Sequence, residues 1–112
     1  MSGDTKLATA RILSEVLTER ERQDTKWGEQ NHDPSWWVVI ETEELGEVAK
    51  AVFEKELDEY RQELIQVAAV AVAAVESLDR QARQKAQERE AMRQIGLDDE
   101  FPAYLDYLYH RC

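Results

Sequence analysis

Two short stretches of the chain carry carboxylates at spacings that could do chemistry. The first holds Glu41, Glu43, Glu44 and Glu47, and the second holds Glu59 and Glu63 followed by Gln66. Glu44 and Glu47 are three apart, as are Glu63 and Gln66, so on helices each pair shares one face. The pairs are also symmetric, because positions 47 and 63, like 44 and 66, centre on Lys55. A reversal there sets Glu47 level with Glu63 and Glu44 level with Gln66, roughly 12 to 17 Å from the turn at ~1.5 Å per residue. Three carboxylates meeting between helices repel unless a cation neutralises them, and hard oxygen donors suit Mg²⁺ or Mn²⁺. The bland alternative is a solvated acidic face, ordinary in a chain that is 34% charged. A carboxylate-bridged iron centre requires Glu-x-x-His pairs on the helices of a bundle. Neither His32, in a loop-like stretch, nor His110, near the C-terminus, supplies one.

The elements that must position these acids are helical. Only four Gly and two Pro interrupt 112 residues rich in strong helix formers. We therefore expect one all-α domain spanning residues 1–112, a bundle of about four helices. A first helix is expected over roughly 4–23, with Leu7, Ala10, Ile12, Leu13, Val16 and Leu17 as its apolar stripe and Asp4 or Thr5 as its cap. The stretch KWGEQNHDPS then reads as a loop. A second helix should begin near Ser35, read as its N-cap, with Trp37, Val38, Leu45, Val48, Ala49 and Val52 as its apolar positions. The polar segment 54–57 must hold a tight turn, although no Gly or Pro marks it. A third helix is expected from about Asp58 to at least Leu78, with a charged tail reaching Met92. Between Leu64 and Val75 it is apolar nearly all round, which asks for cover beyond one short chain and predicts a homo-oligomer. The final LDDEFPAYLDYLYHRC reads as a short docked helix or arm.

The charge balance narrows the partners. A formal charge of −10 argues against a nucleic-acid duplex or an anionic membrane surface. The N-terminus lacks a signal-like apolar run, and Val67–Val75 is about half of a bilayer span. One cysteine, Cys112, permits no internal disulfide. The sequence reads as that of a soluble cytoplasmic protein.

EELGE at 43–47 followed by ELIQ at 63–66 resembles the Glu-Glu-x-x-Glu…Glu-x-x-Asp signature of MazG-like nucleoside triphosphate pyrophosphohydrolases. The flanking text, ERERQDTKWGEQNHDPSWWVVIETEELGEVAKAVFE and ELIQVAAVAVAAVESLDR, is similar to short phage and mobile-element members. The resemblance covers about Glu19 to Arg80. It implies a helical bundle forming a homodimer or dimer of dimers. It also implies Mg²⁺-dependent conversion of a (deoxy)nucleoside triphosphate to the monophosphate and pyrophosphate. By position, Glu44, Glu47 and Glu63 would be metal ligands and Gln66 would hold the fourth place. Glu43 would be a further ligand or the base that orients water, so Glu43 and Glu44 would lie nearest the chemistry. The family's closing Asp is Gln66 here, which removes one charge; either metal affinity falls or Glu59 takes over. Basic partners for the phosphates would be Lys26 and Lys50, with Arg61 and Arg80 behind them. The loop would read base and sugar, Trp27 by stacking and Gln30, Asn31 and His32 by hydrogen bonds. For Trp27, Trp36 and Trp37 the competing reading is core packing, and for His32 a capping or surface role. The alternative function is a module that keeps the fold with weakened or lost catalysis, binding a nucleotide or serving as a helical interaction surface.

Overall fold

The computed structural model describes residues 2–96 as three helices: α1 (Gly3–Trp27), α2 (Pro34–Phe53) and α3 (Leu57–Gln94). No strand occurs among the described residues, so the all-α expectation holds. The segment after Gly96, read as a fourth element, lies outside them. Two caps differ from expectation. Ser2, not Asp4 or Thr5, caps α1 by accepting from Thr5 N. Asp33, not Ser35, caps α2 by accepting from Trp36 N at 3.0 Å. Pro34 then fills the first helical position, where its missing N–H costs nothing. No helix among the described residues is long and apolar enough to cross a membrane.

The reversal between α2 and α3 takes three residues, Glu54–Glu56, with Lys55 at φ +60°. A residue with a side chain rarely adopts that left-handed conformation; here a lysine takes it, so no Gly marks the turn in the sequence. Lys55→Gly is expected to raise stability by about 1 kcal/mol. Chemical denaturation measures it, and a loss of stability would mean that the Lys55 side chain is needed at the turn.

The reversal lays α2 antiparallel on α3. Trp37 packs on Val70 and Ala73, with Ile40 and Ala74 beside them, and Val48, Ala51 and Ala69 are buried too. The alanines of α3 let the helices approach closely. α1 packs on α3 and not on α2, running in the same sense as α3. Two ion pairs pin it there: Arg20 Nε donates to Glu76 Oε1 at 2.8 Å, and Arg61 forks onto Glu15 at 2.8 and 2.6 Å. The apolar stripe read on α1 is mostly uncovered. Val16 is buried, but Leu7, Ile12, Leu13 and Leu17 are exposed. Periodicity marks residues that share a face; it does not say that the same chain covers that face.

Candidate functional site

The Lys55 turn carries the acids of α2 back past those of α3. Glu44 of α2 and Glu63 and Gln66 of α3 are half-buried in the hairpin, while Glu43 and Glu47 lie at its exposed edge. With its amide nitrogen turned toward the carboxylates, Gln66 donates to Glu44 Oε2 at 3.0 Å and to Glu63 Oε2 at 3.3 Å. Position 66 therefore meets position 44 across the hairpin, in the register symmetric about Lys55.

The charges in this cluster oppose one another. Burial pushes the Glu44 carboxyl above its ordinary value, helped by the charges of Glu63, Glu43, Glu47 and Glu19. Glu63 is raised by burial, then by Glu47, Glu59 and Glu19. Glu41, one turn before Glu44, is raised by burial and by Glu44. Such a cluster gains from a cation, and its donors are all oxygens of the hard type that Mg²⁺ and Mn²⁺ take. As the side chains stand, no three His, Cys, Asp or Glu among the described residues converge on one point to hold an ion. The donor chemistry fits a divalent cation, and grouping around it would need side-chain rotation about a backbone already in register.

The loop residues sit elsewhere. Arg80 Nε donates to Asn31 Oδ1 at 2.9 Å and Arg80 Nη2 to the Gln30 carbonyl at 3.1 Å. Gln81 Nε2 donates to the His32 carbonyl at 3.1 Å, and the His32 ring stands edge-on to Trp37 with centroids 5.0 Å apart. This anchors the loop on α3 about 14 residues beyond Gln66, roughly 20 Å along the helix. Trp37 is core, as read, whereas Trp27 is 60% exposed with Lys26 Nζ 4.7 Å above its ring. Lys50 is exposed on α2, nearer the turn. Arg61 and Arg80 are already engaged, with Glu15 and with the loop.

Nothing among the family models, curated proteins or solved structures matches this chain. The site stands on its geometry.

That geometry adds two residues that sequence reasoning missed. Glu19 of α1 lends its charge to both Glu44 and Glu63, and Arg22 forks onto Glu19 at 2.8 and 2.6 Å. The signal was present in ERER at 19–22, where acid and base three apart share a helix face. Nothing local distinguishes that pair from an ordinary surface ion pair.

Proposed function

We propose that this protein is a MazG-like pyrophosphohydrolase that cleaves a (deoxy)nucleoside triphosphate to the monophosphate and pyrophosphate with Mg²⁺. The observation that carries the reading is the register across Lys55, which sets Glu44 against Gln66 and Glu63 among mutually repelling acids. Glu44, Glu47 and Glu63 would hold the cation, with Mn²⁺ a substitute. When bound, that cation supplies charge neutralisation for the triphosphate and a lowered pKa for the attacking water. Glu43, exposed on α2 beside Glu44, would be a further ligand or would orient that water and accept its proton. The half-buried setting limits solvent, which strengthens every charge interaction on the reacting phosphorus. The nucleoside is assigned to the end of α1, where Trp27 offers a stacking face and Lys26 a cation. From Glu19 to Trp27 is eight residues, about 12 Å of helix, the scale of an extended triphosphate with its sugar. The docked loop of Gln30, Asn31 and His32 borders that end.

A second copy of the chain is part of the proposal. Val38, Val75 and Leu78 are all more than half exposed and line an apolar groove of about 330 Å³ between α2 and α3, which a homodimer or dimer of dimers would bury. Light scattering that gives the mass of a single protomer would remove this part.

The test of the chemistry is pyrophosphate release measured over canonical and modified (d)NTPs, with Mg²⁺ and with chelator. Turnover on at least one nucleotide, lost with chelator, is expected. A folded protein silent across the panel overturns the reading. One observation favours the alternative of a helical module without catalysis: Gln66 already satisfies Glu44 and Glu63 as a neutral donor. Calorimetry separates the two, because such a module binds no Mg²⁺-dependent triphosphate analogue.

A further inference from the structure

An acidic site that takes a triphosphate must also bring a cation of its own to the phosphates. Lys26 and Lys50 are the first candidates read from the sequence; behind them, Arg80 holds the loop and Arg61 is forked onto Glu15. Arg22 is different. Its side chain is 53% exposed while that of its partner Glu19 is 13% exposed, so the guanidinium lies over the carboxylate at the solvent side. Glu19 keeps its charge readily, because the Arg22 hydrogen bonds hold its carboxyl below the ordinary value. Arg22 also feels Glu44 across the gap from α1 to α2. Glu19 and Gln66 line one pocket of about 320 Å³ between α1 and α3, together with the Glu15–Arg61 pair, and Arg22 covers its Glu19 edge through the ion pair.

We propose that Arg22 is the phosphate-binding side chain of this site, held in reserve by Glu19 and transferred to the triphosphate oxygens when the nucleotide arrives. The inference rests on the pyrophosphohydrolase reading and names a residue that reading does not contain. The exchange balances charge: Arg22 swaps one anion for another, and the carboxylate it leaves would add its charge to that of Glu44 and Glu63 when a cation is held there. The planar fork that now grips two carboxylate oxygens suits two phosphate oxygens equally well. Lys26, one turn further along α1, continues the same basic edge toward Trp27, and its charge also reaches Glu19.

The experiment is calorimetry with an α,β-imido triphosphate analogue, with and without Mg²⁺, and with Mn²⁺ alone. Arg22→Ala is expected to weaken analogue binding roughly 10- to 100-fold while leaving Mn²⁺ binding intact or tighter. Glu19→Gln is expected to do the opposite to the analogue without metal, tightening it, because Arg22 is then free. The double variant should behave as Arg22→Ala. A purely structural ion pair would make both single variants alike, and that outcome overturns the proposal. Arg22→Lys, which keeps the charge but not the fork, should fall between. Helicity and melting report folding, and α1 keeps its pins through Arg20 and Arg61 in every variant. Glu63→Gln separates the failures. Binding that Glu63→Gln abolishes but Arg22→Ala leaves untouched ends this inference alone; a wild-type protein that binds no analogue ends both.

Discussion

Glu63→Gln is expected to cut pyrophosphate release at least about 100-fold while raising the melting temperature. Loss of partners one shell out from a metal typically costs about 10- to 100-fold, and Glu63 is assigned a direct ligand position. The stability gain comes from the same charge. Burial and then Glu47, Glu59 and Glu19 raise the Glu63 carboxyl, so ionising it in the folded protein costs more than in the unfolded chain. An amide of the same shape removes that cost. The sign of the pH dependence follows. For Glu41, Glu44 and Glu63 the folded value lies above the ordinary 4.5. Their contribution to stability is therefore complete below that value and lost as pH rises through the raised ones. Glu15 and Glu19, held low by Arg61 and Arg22, act the other way and lose their contribution as pH falls through their lowered values. The wild-type melting temperature should rise on going from neutral to mildly acid pH and drop in stronger acid. The rise should be smaller in Glu63→Gln. Melts that fall monotonically from neutral pH downward would mean that the carboxylates do not repel in the folded state.

How much of this was legible beforehand depends on the kind of signal. The hairpin was, because acids symmetric about Lys55 mark a crossing even where no turn residue does, and Lys55 bears the strain instead. The cap of α2 could have been read from Pro34, whose preference for the first helical position points one residue back, to Asp33. The undocked stripe of α1 could not. Leu7, Leu13 and Leu17 repeat at core spacing, yet a helix pattern is the same whether cover comes from this chain or another. Nor could Glu19 be singled out, since its meaning depends on α1 lying beside residues more than forty positions away.

The largest stability effect is expected at Trp37. It is 6% exposed and packs on Val70 and Ala73, so Trp37→Ala should cost about 3–5 kcal/mol, much of what a small domain has to spare. Trp37→Phe should cost far less. It keeps most of the apolar area and removes an indole Nε1 that is buried without a hydrogen-bond partner among the described residues, a burial that costs free energy when nothing compensates it. Urea denaturation measures both. Equal losses for Ala and Phe would mean that the indole N–H has a partner in solution, and a cost under about 1 kcal/mol for Ala would mean that the hairpin core lies elsewhere.

The fastening of α1 sets its response to ionic strength. The hairpin is joined by apolar contact, but α1 is pinned to α3 by Arg20–Glu76 and Arg61–Glu15, with little apolar burial of its own. The exposed Arg61–Glu15 pair weakens as the Debye length shrinks from about 10 Å at 0.1 M salt to about 3 Å at 1 M, whereas Arg20 is buried and its pair with Glu76 is screened less. Brine therefore loosens this arm first and leaves the paired rods standing, so salt tolerance is set by the one helix that carries Glu19 and Arg22.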